Sequence, residues 1–396
     1  MLKSAGITLF FLLLQPAVIS APDQSLIVFP LDGPAKGSPL QWLSEGIAIS
    51  LSNQLDSREL KAMERSERVK LVESLDLPPG ARLSRASMIR VAQRADADLV
   101  IMGVYSGTEQ NLKISVRALN VKTLKLSGEM AANGPLSNLP QLENELAWMI
   151  LNNNSFGRTL SRVKFQEKMR KVPNPAYASY IQSLEASDEN DQLHLLLKAV
   201  GGYRDFPEAQ FQLGRAYFQK GDCGSAIPHL LLGKNEASTQ VENDFMRGTC
   251  YLQGDQPSLA IQSFVRLLQV SRPFEALNNL GVAYLRKGDI SPAVNALTEA
   301  RSQAHSDPTV SLNLAIARHV QGNDLAARAV LEEACRSHPK NGMLQFLMGV
   351  MLMAQGDNEK AAEASAKAKS LGLNVAKLQT DDPKTWSRVL SKFESR

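Results

Sequence analysis

Residues 279–297 read NLGVAYLRKGDISPAVNAL, and this pattern returns along the second half of the chain. Gly214, Gly248, Gly281, Ala315 and Gly349 mark it at intervals of 34, 33, 34 and 34 residues. Twelve positions after each marker stands an alanine: Ala226, Ala260, Ala293, Ala327 and Ala361. Between them comes a turn glycine, Gly221, Gly254, Gly288, Gly322 or Gly356, followed by Asp222, Asp255, Asp289, Asn323 or Asp357. In the second copy the turn arrives one residue early. A fixed period of this length marks stacked supersecondary units. The turn glycine allows a left-handed backbone after a first helix. The Asp or Asn then caps a second helix by accepting its orphan amide hydrogens. A glycine inside a helix costs about 1 kcal/mol against alanine. Repeating it makes sense where a neighbouring helix comes so close that any larger side chain would overpack.

The segments QLGRAYFQKGDCGSAIPHL (212–230), NLGVAYLRKGDISPAVNAL (279–297) and FLMGVMLMAQGDNEKAAEA (346–364) resemble the tetratricopeptide repeat. Tyr217, Tyr251 and Tyr284 stand at the family's aromatic position, from which Arg318 and Leu352 depart. Ala300, Ala334 and Ala368 take its later small-residue position, and Pro339 its terminal proline. Five copies are expected over residues 207–372, with a degenerate unit over 175–206 carried by Tyr177, Tyr180, Leu184, Leu196 and Ala199. A capping helix is expected within 373–396, with Trp386, Val389 and Leu390 facing inward, because solenoid ends need a cap. The resemblance implies that the first helix of each repeat lines a concave face. By position that face holds Phe211, Arg215, Phe218, Phe245, Leu252, Asn278, Val282, Leu285, Arg286, Leu312, Ile316, His319, Phe346, Val350 and Met353. Two readings of its aromatics compete: packing between neighbouring helices, or an apolar groove for a partner segment laid in it. In the second, arginine would fix polarity by gripping a carboxylate.

Residues 25–152 follow another rhythm. Leu26 to Leu31 is a continuous apolar run, the mark of a buried strand. Leu43, Ile47, Leu51 and Leu55 make one helical stripe. A short strand follows around Leu60, then a helix from about Ser66, then one capped by Ser84. Leu99 to Val104 is a second buried strand. Leu112, Ile114, Val116 and Ala118 alternate with polar neighbours, residues 124–130 do the same, and Asn120 to Thr123 joins the two as a hairpin. A helix through Leu142, Leu146, Met149 and Ile150 closes the unit. The fold class is an α/β sandwich followed by an all-α solenoid, with a linker over 153–174. The stretches SLIVFPLD, WLSEGIAISLSNQL, MERSERVKLVESL, ADADLVIMGVYSG and LKISVRALNVKTLKLSGE resemble the TolB amino-terminal-like domain, related in shape to the CsgG and FlgO families. The resemblance implies a periplasmic assembly or interaction module.

Lys3, the apolar run Ile7 to Leu14 and the small residues Val18, Ser20 and Ala21 make the three-part pattern of a secretory signal peptide, expected over residues 1–21. That run is too short to span a bilayer, which needs about 20 residues. A soluble periplasmic chain, without stable membrane insertion after cleavage, is the expectation. Its three cysteines do not make a disulfide framework. Cys223 and Cys250 lie in adjacent repeats and leave two alternatives, one bridge or free thiols; Cys335 falls on a helical core position.

The composition is that of a globular protein, with 44% hydrophobic and 21% charged residues. A net charge of +4 over 396 residues, without a concentrated basic face, gives no ground for nucleic acid binding. There is no Gly-x-x-x-x-Gly-Lys loop and no His-Glu-x-x-His helix, and no Gly-x-Ser-x-Gly elbow. His194, His229, His305, His319 and His338 are scattered singly. In MERSERVK, Arg65, Glu67 and Arg68 read as a helix start with solvated charges, or as an anion site there. No cofactor or metal site is expected. The reading is a non-enzymatic exported scaffold or adaptor that binds protein or peptide partners. Its alternatives are a sensor binding a small molecule or glycan, and an enzyme with a dispersed site.

Overall fold

The computed structural model describes residues 24–34, 37–57, 60–78, 82–152, 168–233 and 237–392. The leader expected over residues 1–21 lies outside the described residues, as does most of the linker expected over 153–174. The chain divides after Gln182 into two compact units. Among the described residues no helix is long and apolar enough to cross a membrane.

The first unit runs β1 (Gln24–Val28), α1 (Leu43–Leu55), β2 (Leu60–Ala62), α2 (Arg65–Glu73), α3 (Arg85–Arg94), β3 (Leu99–Gly107), β4 (Leu112–Asn120), β5 (Met130–Gly134) and α4 (Leu139–Leu151). Its sheet is mixed, in the order β2-β1-β3-β4-β5. β1 runs parallel to β2 and β3, while β3, β4 and β5 are antiparallel. Alternation along each strand decides what each face meets. Ile27, Phe29, Val100 and Leu119 join Met88, Val91 and Ala92 of α3 in one core cluster. α1 packs on β1 and β2, and α4 on β4 and β5. The expected stripe Leu43, Ile47, Leu51 and Leu55 is buried. Ser84 caps α3, its hydroxyl accepting from Ser87 N at 3.1 Å.

Three expectations for this half are corrected. The last strand begins at Met130 rather than near 124. Leu124 takes a left-handed backbone (φ 56°), which a strand cannot contain. Ser127 then closes on Ala118 through its amide (2.8 Å) and its hydroxyl (2.9 Å), and the ladder restarts at Met130 opposite Val116. The charges of MERSERVK are not all solvated. Arg68 is buried, paired with Glu45 and donating to Val28 O at 2.7 Å. Glu64 fills the start of α2 with its own carboxylate in a capping box with Glu67, so that helix start already holds an anion.

The third correction concerns residues 168–182, which are part of the first unit rather than a linker leading into a repeat. Lys168 donates to Asp56 O at 2.7 Å. Arg170 pairs with the buried Glu143 at 3.3 Å and lies 4.0 Å over the Tyr177 ring. α5 (Asn174–Glu185) brings Tyr177 edge-on to Trp42, and its hydroxyl donates to Gly46 O at 2.8 Å. The buried Glu143 carboxyl is pushed above its ordinary value by desolvation, against the pull of Arg170 and Ser50. The expected degenerate unit is thus divided: Tyr177 and Tyr180 lie in the first unit, Leu196 and Ala199 in the second.

The second unit is helical. After α6 (Glu189–Gly202) come five helix pairs: α7 (Pro207–Gln219) with α8 (Cys223–Leu232), α9 (Ala237–Gln253) with α10 (Pro257–Val270), α11 (Phe274–Lys287) with α12 (Ile290–Gln303), α13 (Pro308–Val320) with α14 (Asp324–Ser337), and α15 (Gly342–Ala354) with α16 (Asn358–Ser370). The marker residue of each first helix crosses the second helix closely. A Cβ on Gly281 would stand 2.4 Å from Leu297 Cγ. Asp222, Asn323 and Asp357 cap their second helices through the side chain. The early turn of the second copy has a structural consequence. The left-handed residue there is Asp255 (φ 52°), not Gly254, so the position four residues after the tyrosine is kept at the expense of strain.

The C-terminal segment differs from the expected capping helix. A short α17 (Val375–Leu378) and a 3-10 turn at Pro383–Trp386 are followed by six described residues, 387–392, without helix or strand. Trp386 is buried, and Val389 and Leu390 pack on the solenoid core, so these three do face inward as expected.

Close crossing makes a graded prediction. Gly281→Ala forces a methyl into the buried Leu297 side chain and should lose about 1–2 kcal/mol, overpacking outweighing the gain in helix propensity. Gly349→Ala meets chiefly the small Ser365 hydroxyl, at 2.9 Å. It should stay within about 1 kcal/mol of wild type. Urea denaturation checks the order, and a Gly281→Ala variant at least as stable as Gly349→Ala would contradict it.

Candidate functional site

The first helices of the third and fourth pairs carry three asparagines. Asn278, Asn279 and Asn313 are all fully buried. Asn279 and Asn313 stand one repeat apart, each two residues before its marker, Gly281 or Ala315. Buried amides cost free energy unless their donors and acceptors are met. Here the main chain of the C-terminal segment meets them.

Asn313 holds Arg388 at both ends: its Oδ1 accepts from Arg388 N at 2.8 Å, and its Nδ2 donates to Arg388 O at 2.8 Å. Asn279 holds Leu390 the same way, accepting from Leu390 N at 2.8 Å and donating to Leu390 O at 2.7 Å. Asn278 ties the two together. Its Oδ1 accepts from Asn313 Nδ2 at 2.8 Å, and its Nδ2 donates to Asn279 Oδ1 at 3.1 Å. A side-chain amide that pairs with both the N–H and C=O of one residue imitates the edge of a β-strand. The gripped residues are two apart, as an extended chain requires for the same edge to face the same helices.

Trp386 continues this register toward the fifth pair. Its ring lies edge-on to Phe346 of α15, centroids 5.1 Å apart, and its Nε1 donates to Leu378 O at 3.2 Å. The segment therefore passes the fifth, fourth and third pairs at Trp386, Arg388 and Leu390, against the order of the repeats along the chain. Val389 and Leu390 rest on the cluster built from Phe245, Leu252, Phe264 and Val282. The Arg388 side chain is exposed and its guanidinium turns back along the segment, donating to Trp386 O at 2.9 Å and Ser387 O at 3.3 Å, so the asparagines hold this position through its main chain.

Of the residues expected on the concave face, Phe211, Phe245, Val282, Ile316 and Phe346 are buried. Phe245 lies edge-on to Phe264, and Phe211 joins Leu230 and Met246. An open apolar groove formed by these five is thereby corrected: Phe211 and Phe245 pack between helices, while Phe346 lies against Trp386 and Val282 belongs to the cluster that carries Val389 and Leu390, so the chain's own C-terminal segment covers that part of the face. Phe218 is half-buried. Arg215 faces Glu242 at 3.2 Å, and Arg286 donates to Leu252 O at 2.8 Å, so both guanidinium groups have partners within the chain. Burial draws Arg286 below the ordinary guanidinium value; Asp255 opposes this and the positive Arg388 adds to it. Asn278 is in the site, but Asn279 and Asn313 were not among the expected residues. Their shared register two positions before the marker was the available signal.

Other chemistry-bearing side chains serve packing. His229 stacks on Tyr217 and shares a 2.7 Å hydrogen bond with Gln210; burial lowers its pKa. His319 meets Asp324 at 2.7 Å. Among the described residues no three His, Cys, Asp or Glu side chains gather as a metal site. Cys223 and Cys250 form a disulfide, Cα atoms 5.1 Å apart, which ties α8 to α9 and so joins the first two pairs. Burial pushes the remaining thiol, Cys335, up to about 11, so at neutral pH it is an inert packing group.

Comparison with known proteins agrees with this architecture in part. The family model described as "Tetratricopeptide repeat" matches residues 278–342 and 312–371, so that stretch carries tetratricopeptide repeats. No curated protein matches the chain. Among solved structures, one titled "Crystal structure of MamA" is 21% identical, covers 42% of this chain and 97% of its own, and has a TM-score of 0.38. Another, YrrB, titled as a TPR protein with an unusual peptide-binding site, is 14% identical, covers 46% and 97%, and has a TM-score of 0.40. Likeness of that degree carries no residue role over to this chain.

Removing either amide tests the site's energetics. Asn279→Ala and Asn313→Ala each delete two main-chain hydrogen bonds, and each should lower unfolding free energy by about 1–3 kcal/mol. Urea denaturation followed by far-UV circular dichroism measures this. Two variants as stable as wild type would contradict the assignment.

Proposed function

We propose that this chain is an exported, non-enzymatic scaffold that holds protein partners through its helical repeats, with the N-terminal unit as a second interaction surface. One observation carries the reading: the concave asparagines Asn278, Asn279 and Asn313 already grip a peptide main chain. Such a grip is recognition of an extended polypeptide, and it needs no reacting group. The N-terminal unit enters the proposal as an α/β sandwich of TolB amino-terminal-like type, which supports an assembly role. Export is supported by the leader pattern over residues 1–21 and by the Cys223–Cys250 disulfide, a bond that persists in oxidising compartments such as the periplasm. The partner is protein or peptide with an apolar segment, suited to the Val282 and Leu252 side of the cleft beneath Val389 and Leu390.

In-cell photo-crosslinking tests the scaffold. A photoreactive residue replacing Phe218 or Arg286, both half-buried on first helices, should trap a defined set of polypeptides. The same residue at Leu325, which is 76% exposed on α14, should not trap that set. The captured chain itself should begin after Ser20 or Ala21 and keep one free thiol until reduced. Identical crosslinks from both faces, or an intact leader, would overturn the corresponding part of the reading.

A further inference from the structure

The solenoid's most developed binding surface is occupied by the chain's own residues 386–390, and the way they are held says what else can sit there. Four hydrogen bonds go from Asn279 and Asn313 to main-chain atoms of Arg388 and Leu390. Those bonds are blind to side-chain identity. Apolar side-chain contact is confined to two stations: Trp386, which is 4% exposed against Phe346, and Val389 with Leu390 on the cluster shared by the second and third pairs; Ser387, also buried, gives its hydroxyl to Lys384 O within the segment. Between them, the Arg388 side chain is exposed and folds back on its own segment, its guanidinium donating to Trp386 O and Ser387 O. The segment leading to this seat is tethered by exposed residues, among them Gln379 and Thr380.

We propose that residues 383–392 are an intramolecular ligand, and that the solenoid's partner is a protein segment that takes their place. This rests on the scaffold reading above. The occupant it selects is extended, carries a large aromatic residue at its first station, and carries an aliphatic residue four positions later, as Trp386 and Leu390 do. The residue midway is read through its main chain alone. The tail then acts as a built-in competitor. Its tether keeps it at an effective concentration that for short flexible linkers reaches the millimolar range. A partner must outbind that, or be aided by whatever draws the tail away. A tail that merely capped the helix stack would have no need of strand-like main-chain pairing, because apolar burial by Trp386, Val389 and Leu390 would suffice to cover the core.

The test keeps the full chain and cuts it after folding. A protease site is inserted between Thr380 and Asp381, and the purified protein is nicked. A fluorescent synthetic peptide of residues 381–396 is then offered to nicked and intact protein. The expected result is saturable uptake by nicked protein with release of the tail, at least about tenfold weaker uptake by intact protein, and a solenoid whose circular dichroism is unchanged throughout. Within the peptide, Trp386→Ala should weaken binding at least about tenfold, whereas Arg388→Ala should change it by no more than about twofold. A nicked chain that keeps its tail and takes no peptide overturns the proposal. So does one that unfolds as the tail leaves, since the tail would then be a structural cap. Tails shared between two copies of the intact chain in a stable dimer would also overturn it, by assigning the seat to a second copy. Crosslinks that still trap partners at Phe218 while the tail fails to exchange would leave the scaffold reading standing and remove the latch. Exchange without any trapped partner would do the reverse.

Discussion

Everything in the second unit depends on how closely two helices can cross. At Gly214, Gly248, Gly281, Ala315 and Gly349 the first helix of each pair meets the second with room for little or no side chain. That contact sets the angle of each hairpin, and its repetition every 33 or 34 residues sets the same angle five times. Residues at a fixed offset from the crossing therefore fall in line on one face. Asn279 and Asn313, each two positions before the crossing, become equivalent points on successive helices. A pair of amides can read an extended chain only if their separation suits its two-residue step, and the crossing supplies that separation.

The asparagines and the C-terminal segment depend on each other. Three fully buried amides on two successive first helices would each cost about 1–3 kcal/mol without partners. Main-chain groups at Arg388 and Leu390 supply the partners. The segment in return is freed from folding as a helix, because the Asn279 and Asn313 side chains satisfy the backbone groups they grip. Its remaining hold comes from the Trp386 and Leu390 stations, which bury apolar area and need no special main-chain geometry.

The repeat was legible because its signals are local: a crossing glycine or alanine, a turn glycine and a capping Asp or Asn, each acting within a few residues. The order of strands and helices in residues 24–151 was legible for the same reason, through periodicity. What escaped was non-local. Arg68 looks solvated in MERSERVK because its partner Glu45 lies on another helix. Residues 387–392 look helical because Trp386, Val389 and Leu390 suit a helical stripe, whereas the amides that extend them stand more than 70 residues away. Leu124 and Asp255 take left-handed backbone although neither is glycine, each forced by register around it. The aromatics of the concave face were assigned by position in the repeat, and position alone does not say whether a side chain points into the cleft or between helices.

The central claim is that alternate residues of the C-terminal segment are gripped through their main chain. Backbone hydrogen exchange resolved to single amides across residues 386–392 tests it most directly. Among the described residues Arg388 N–H and Leu390 N–H have side-chain acceptors, whereas Val389 N–H and Ser391 N–H have none. After correction for intrinsic rates, the first two should exchange at least about tenfold more slowly than the second two, the ratio that corresponds to roughly 1.4 kcal/mol. The difference should vanish at Arg388 in Asn313→Ala and at Leu390 in Asn279→Ala. Uniform exchange across all four amides, or an unbroken helical pattern of protection, would contradict the account.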